Sequence, residues 1–403
     1  MPAPRRSTAL RRLSLGAFAL LVAILIVPSA ASAATRIGSV YTQTNSPGQN
    51  QIVVFDRYSD GTIVEVARVN TGGHGSPSPD CATPPAGPAF NTSCPIIDSQ
   101  GSVVANSTGT LLFAVNAGSD TVSAFKIDIN GIPHLVGTVP SGGHFPISLT
   151  IHNNVLYVLN ERSGNIQGYT FTNSGQLTPI PGSNQPLSTH GAVGAAAEIS
   201  FDTLGRNLIV TERNANVIDV FRVTNNVPGP AVAHPVAPGA TTPFGFAVDP
   251  LNHLIVSDAL SQVDGAATSY NLDSSTGAVT PINTQTSGGG APCWVVVTPN
   301  GRFAFITNTT TKSIARYSVA TDGTLTFLGT VATTRVPPGL SPQFPTDEAL
   351  SPDGRFLYVL VPSVFSGDVS RIDVYKVGTD GSLTLIQQSP EDMPPGTSGL
   401  AVV

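Results

Sequence analysis

Ser351-Pro352-Asp353-Gly354-Arg355-Phe356-Leu357-Tyr358-Val359-Leu360 reads as the end of one strand, a tight turn and a second strand. Asp353-Gly354 supplies the turn: Gly tolerates positive φ, and an Asp carboxylate bonds its own backbone. From Phe356 to Leu360 both alternating sets of side chains are apolar, which predicts a strand buried on both faces. The same pattern stands at Thr298-Pro299-Asn300-Gly301-Arg302-Phe303-Ala304-Phe305, with weaker copies at 106–113 and 202–209. A turn that recurs at this spacing points to a repeat architecture.

The large apolar residue in the middle of each turn-following strand forms a series: Tyr41, Phe113, Tyr157, Ile209, Ile255, Phe305 and Tyr358, in steps of 72, 44, 52, 46, 50 and 53 residues. A second column follows: Phe55, Phe125, Tyr169, Phe221, Tyr270, Tyr317 and Tyr375. Most units close on a turn pair: Asp60-Gly61, Asn130-Gly131, Ser174-Gly175, Thr276-Gly277, Asp322-Gly323 and Asp380-Gly381. Such pairs make short hairpin loops. Seven units of four short antiparallel strands predict an all-β fold, a seven-bladed β-propeller. The strand 37–42 reads as the second of its blade, and Ser398 to Val403 as a first strand with no blade after it. The C-terminal strand is therefore expected to complete the first blade and close the ring without exposed edges.

Residues 1–33 carry Arg5, Arg6, Arg11 and Arg12, then the apolar run Leu15 to Val27, then Ala31-Ser32-Ala33. This is the pattern of a cleaved secretory signal peptide, which predicts a secreted or cell-envelope protein with no membrane span after cleavage. One propeller domain is expected over 34–403, with a loop insert at 72–98. Removing 1–33 leaves 15 basic against 25 acidic residues, a net charge of −10. An acidic chain with no basic run has no electrostatic footprint for nucleic acid. A monomer is expected. Cys81 and Cys94 flank a loop rich in Pro, Gly and Ala, and outside the cell such a pair is expected to close a disulfide. Cys293 lies in an apolar run and reads as a buried free thiol.

Antiparallel geometry places the turns between second and third strands, and the connections between blades, on one face. That face collects His74, His144 and His190 from connections, and Glu161, Arg162, Glu212, Arg213 and Asp258 from turns. Binding residues commonly sit on loops over a rigid scaffold. Along the innermost strands one column reads Ser102, Ser148, Glu198, Gly245, Trp294, Asp347. The adjacent column, Val103, Leu149, Ile199, Phe246 and Val295, is apolar until Glu348. Alternation puts the two columns on opposite sides, so Glu198, Trp294 and Asp347 are expected near the channel mouth. No phosphate loop, zinc spacing or nucleophile elbow is present, so no cofactor or metal is predicted.

Phe113-Ala114-Val115-Asn116 with Thr121-Val122-Ser123-Ala124-Phe125 resembles the repeats of YVTN-type propellers, as do Tyr157-Val158-Leu159-Asn160 and Phe305-Ile306-Thr307-Asn308. With the Asp-Gly turns, the whole of 34–403 resembles the seven-bladed lactonase family, which includes 6-phosphogluconolactonase-like and carboxymuconate-cyclase-like proteins. The resemblance implies a lactone hydrolase or cycloisomerase that uses Glu, His and Arg around the channel mouth. It carries over Glu161, with Glu212 as a weaker parallel, on the reading that Asn160-Glu161-Arg162 and Thr211-Glu212-Arg213 occupy equivalent hairpins. A carboxylate activates water against a lactone carbonyl, and an Arg stabilises the oxyanion. The candidate catalytic residues are thus Glu161, Arg162, Glu198, Glu212 and Arg213, with His144, His190, Trp294 and Asp347 as ligand contacts. Gly143-His144-Phe145-Pro146 matches the family's His-bearing lead-in segments, whereas 191–195 and 288–292 contain no His or Arg. The expected ligand is a small non-phosphorylated lactone. The alternative is a non-catalytic propeller that binds a protein or a cell-envelope glycan through the same face.

Overall fold

A computed structural model of the chain describes residues 1–3, 34–76, 97–189, 195–261, 263–333, 344–363, 369–390 and 392–403. Met1–Ala34 separates from one compact unit, Thr35–Val403, which holds every described strand. That unit is seven antiparallel sheets, numbered here as blades 1 to 7. Blade 1 runs from the axis outward as Ser398–Val402, Arg36–Gln43, Gln51–Tyr58 and Ile63–Asn70. Blades 2 to 7 cover 103–140, 146–186, 196–235, 243–286, 292–332 and 348–388. The outer edge of blade 3 is split into Leu177–Pro179 and Gln185–Pro186. Cys81, Cys94 and most of the insert lie outside the described residues, as does nearly all of the segment 1–33. Among the described residues no helix is long and apolar enough to cross a membrane.

The ring closes as the strand order requires. Val402 pairs with Val40 and Ala401 with Tyr41, and the Ser39 and Val403 backbones exchange hydrogen bonds of 3.1 and 3.0 Å. Every member of both aromatic columns is at most 2 % exposed. The columns pack between sheets, and their phenol groups do a second job. In the first column Tyr41 donates to the Gly131 carbonyl (2.8 Å), Tyr157 to Asn226 (2.8 Å) and Tyr358 to Gly61 (3.0 Å). Each acceptor is the outer turn of the following blade. In the second column Tyr317 donates to Thr286 (2.9 Å) and Tyr169 to Pro140, at the outer-strand end of the preceding blade. Where these columns carry Tyr, the first reaches forward and the second back, so neighbouring sheets are tied across their packing faces. The ladder between third and outer strands shifts register beside Phe55, Phe125, Tyr270, Tyr317 and Tyr375. A bulge there adds local twist, as a radial stack of sheets requires.

The turns explain why the columns meet them. Gly61 has φ of 92°, and a Cβ on it would come within 2.2 Å of the Phe356 ring. Only Gly both adopts that conformation without strain and leaves room for the neighbouring sheet. Blade 4 uses Asn225-Asn226 instead, with φ of 52° and 65°.

Tyr157→Phe is expected to destabilise by about 1 kcal/mol, since it removes one interblade hydrogen bond while keeping the ring. Phe113 and Phe305 fill the same position in blades 2 and 6, so the site accepts Phe. Urea denaturation measures this; a loss above about 3 kcal/mol would mean the ring itself had shifted, as truncating a core aromatic does.

Candidate functional site

A backbone device repeats on the face where connections meet the turns. The residue after the second strand donates its amide to a carbonyl in the segment leading into the same blade. The pairs are Glu161 to Phe145 (3.0 Å), Arg213 to Ala195 (3.2 Å), Ala259 to Thr242 (3.1 Å) and Thr309 to Ala291 (3.0 Å). The four acceptors all have positive φ, between 47° and 59°. This fixes which positions correspond. Glu161 matches Arg213, not Glu212; Glu212 is the last residue of its strand and matches Asn160.

The correction matters chemically. Glu161 and Arg213 stand at the same position of adjacent blades and pair with each other at 2.9 Å. The second Nη of Arg213 pairs with Asp98 at 2.5 Å, and its Nε donates to the Ala195 carbonyl at 3.0 Å. The guanidinium lies over the Phe244 ring, 4.8 Å from its centroid, and Phe244 stacks on Trp294 at 4.6 Å. These are not exposed hairpin ion pairs: the side chains of Arg213, Glu161 and Asp98 are 14 %, 24 % and 31 % exposed. Burial works against the charge of Arg213, yet Asp98 and Glu161 hold its pKa above the ordinary value. Burial raises the Glu161 carboxyl above its ordinary value, Asp98 adds to the rise, and Arg213 and Arg162 oppose it. A carboxylate so placed is a base poised nearer neutrality.

Arg162 does not pair with Glu161 as a salt bridge. Its amide donates to the His144 carbonyl (3.2 Å), and its guanidinium stacks over Phe145 at 4.0 Å, exposed to solvent. His144 is 76 % exposed and shares a 2.8 Å contact with Asp120, whose other oxygen accepts from the Phe145 amide at 2.7 Å. His190 lies outside the described residues.

Glu212 points between the sheets and is fully buried. It accepts from Ser188 Oγ at 3.1 Å and from Thr189 Oγ1, while Asp219 accepts the Ser188 amide at 2.8 Å. Burial first, and then Asp219 beside it, push Glu212 up to about 7. Asp258, the matching strand end in blade 5, is pushed to about 7 by burial, against the bond it accepts from Thr268. These groups hold loops and strands rather than facing a ligand.

Glu198 and Asp347 line the central channel, whose walls do not include Asp98, Glu161 or Arg213. There the first column fastens neighbouring inner strands: Glu198 accepts the Phe246 amide (2.7 Å) and Ser148 the Ile199 amide (3.3 Å). Trp294 is set apart from Glu198, in a core with Ala197, Phe244 and Cys293, and shares a small cavity with Asp98, Ser99 and Asp347. Cys293 is free and buried, and burial raises its thiol far above the ordinary range. Asp98–Gln100 crosses the axis between these regions. Ser99 donates to the Ala197 carbonyl of blade 4, and the Gln100 amide exchanges two 3.0 Å bonds with the Val295 backbone of blade 6. Asp98 and Gln100, absent from the sequence-based site, therefore shape both regions. The readable signal was opposite charge at one repeat position in adjacent blades, Glu161 and Arg213; nothing local in sequence marks Asp98.

The raised carboxyls make stability pH-dependent. Glu212 and Asp258 reach about 7 and Asp347 about 8, each raised chiefly by burial. The folded chain then holds protons that the unfolded chain releases above its ordinary carboxylate range. Their contribution is complete below that range and is lost as pH rises towards 8. Turn aspartates such as Asp273, held near 2 by bonds from Ser275 and Thr276, titrate below this window. The urea midpoint should fall between pH 5 and pH 8, and Asp258→Asn should flatten that fall. A midpoint that rises with pH would refute the assignment.

The chain matches the profile of the family described as lactonase, 7-bladed beta-propeller, over residues 49–186, 102–296 and 256–344. It is 25 % identical to a 6-phosphogluconolactonase of Cronobacter sakazakii over 297 residues, 71 % of this chain and 83 % of that protein. It is also 25 % identical to a 6-phosphogluconolactonase of Serratia proteamaculans, but spans only 58 % of that relative's length and 47 % of its own. Among solved structures, a Bacteroides uniformis protein provisionally described as a 6-phosphogluconolactonase superposes with a TM-score of 0.66 at 20 % identity, covering 91 % of this chain and 99 % of that one. A periplasmic gluconolactonase of Pseudomonas aeruginosa superposes with a TM-score of 0.51 at 18 % identity, over 66 % of this chain and 78 % of that one. Those two likenesses concern the fold alone. With matched segments that run from residue 49 to residue 344, the chain belongs to the seven-bladed β-propeller lactonase family.

Proposed function

We propose that this protein is an exported lactone hydrolase that opens a small, non-phosphorylated lactone on the connection face of the ring. One observation carries the reading: the chain Asp98–Arg213–Glu161 holds a part-buried carboxylate, raised above its ordinary pKa, beside the exposed Arg162. Glu161 acts as general base and takes a proton from water. The hydroxide adds to the acyl carbon, and charge develops on the carbonyl oxygen, where an Arg N–H stabilises it. Arg162 fits that role, since its guanidinium forms no salt bridge among the described residues. The ring C–O bond then breaks, and the proton passes from Glu161 to the leaving alkoxide, giving a hydroxy acid. Run backwards, the same steps close the ring. Arg213 spends three of its five N–H groups on Asp98, Glu161 and Ala195, so it positions the base.

Two features support an exported enzyme for an unphosphorylated substrate. Residues 1–33 read as a signal peptide. A phosphate is normally clamped by several cations, whereas Arg213 is committed to two carboxylates. A binding-only reading has one observation in its favour: the lead-in segment 288–292 brings only Gly, Ala and Pro to the face. The test is turnover of a panel of sugar and aromatic-pathway lactones, with a phosphorylated gluconolactone included, followed by acid release. Hydrolysis of an unphosphorylated member supports the proposal. Preference for the phosphorylated one overturns the substrate assignment, and no turnover at all moves the face to the binding-only reading.

A further inference from the structure

We propose that the channel beneath Gln100 is a binding site for a small dication. The channel cavity has a volume of about 720 Å³ and carries no Lys, Arg or His in its lining. Glu198, Asp347 and Glu348 line it, 7 %, 2 % and 2 % exposed. The first two have structural work, on the Phe246 amide at 2.7 Å and the Glu348 amide at 2.8 Å. Glu348 has none. Neither of its carboxylate oxygens, nor Asp347 Oδ2, accepts a hydrogen bond from a described residue; all three are enclosed, so both side chains turn towards the cavity to meet an occupant. The Val296 amide favours the Glu348 charge, and the Leu400 amide the Asp347 charge, without closing a hydrogen bond to these oxygens.

The repeat makes this unusual. Glu348 occupies the column in which the other blades place Val103, Leu149, Ile199, Phe246, Val295 and Leu400, all part of the same wall. An apolar side chain would satisfy the position, and a wet channel would be served by a hydroxyl. A buried carboxylate without a partner is costly, and two of them sit side by side in sequence and repel. A positive occupant removes both costs. Two charges on it match the pair Asp347 and Glu348, which give up their protons to bind it, with Glu198 close enough to feel Asp347.

Among the described residues no three His, Cys, Asp or Glu side chains converge as direct ligands to one metal ion. The occupant therefore reaches separate carboxylates. It is either a metal dication that keeps most of its waters, as Mg²⁺ does, or an alkyl diammonium whose methylenes lie on the Val, Leu and Ile walls. The site is independent of the proposed lactone chemistry, because neither Glu161 nor Arg162 lines the channel.

The experiment is thermal unfolding of the full-length protein with MgCl₂, CaCl₂ or 1,4-diaminobutane dihydrochloride, against NaCl at equal ionic strength. At a hundredfold excess over Kd a saturable rise in Tm of roughly 3–8 °C is expected in one arm. The arm identifies the source: the metals for a hydrated ion, the diamine for an organic one. Glu348→Gln and Asp347→Asn should abolish the rise, and Glu348→Gln should raise Tm in NaCl alone. Equal Tm in every salt, or a rise that persists in both variants, would overturn the proposal.

Discussion

Glu161→Gln is expected to lower kcat for lactone opening by about 10²-fold or more, the usual contribution of a positioned base. The amide keeps the size of the side chain and can still accept a bond from Arg213, so the ion-pair chain loses its charge balance but not its shape. KM should change little, since the substitution removes no apolar contact. The wild-type pH profile adds a second readout. Its acid limb should fall above the ordinary carboxylate range, because burial raises Glu161, and Glu161→Gln should lose that limb. Unchanged turnover would remove Glu161 from the chemistry. Turnover that falls equally in Glu198→Gln would place the reaction in the channel instead.

The largest effect on stability is expected in blade 7. Arg371 and Asp373 are 2 % and 0 % exposed and pair at 2.7 Å, with Gln388 Nε2 donating to the same Asp oxygen at 3.1 Å. Arg371→Ala leaves the Asp373 charge buried without its guanidinium, which costs about 3–5 kcal/mol. Replacing both, as Arg371→Met with Asp373→Asn, should recover much of that loss, because the penalty lies in the stranded charge rather than in the missing attraction. Equal losses for the single and double variants would show that Arg371 stabilises through contacts other than Asp373. Urea unfolding at pH 7 separates the two.

Much of this fold is legible in the sequence because its signals are local and recur. The turn pairs Asp60-Gly61 to Asp380-Gly381 mark backbone that needs positive φ, and the two aromatic columns mark surfaces buried between sheets. Asn225-Asn226 lacks that mark, because it makes the same turn without Gly. The site was less legible for a geometric reason. Thr211-Glu212-Arg213 looks like a copy of Asn160-Glu161-Arg162, but it is offset by one residue, and in a strand one residue exchanges the two faces. The offset sends Glu212 between the sheets and brings Arg213 to Glu161. Asp98 and Gln100 reach blades far from their own, and contacts of that kind leave no periodic trace. Glu348 was visible as the odd member of its column, though only its unmatched oxygens give the oddity meaning.

The sheet shared by 398–402 and 36–43 removes the distinction between a first and a last repeat. An open solenoid frays from its ends and tolerates a repeat more or fewer, since each unit leans only on its neighbours. Here every blade has two neighbours, so adding or deleting one changes the curvature of all the others at once. The order in which blades follow one another matters, and the place where the chain is cut does not. Thr35 and Val403 belong to a single blade, so a circular permutant that joins them and opens at the Asn225-Asn226 loop tip, a kind of site where such cuts succeed, keeps all seven sheets intact.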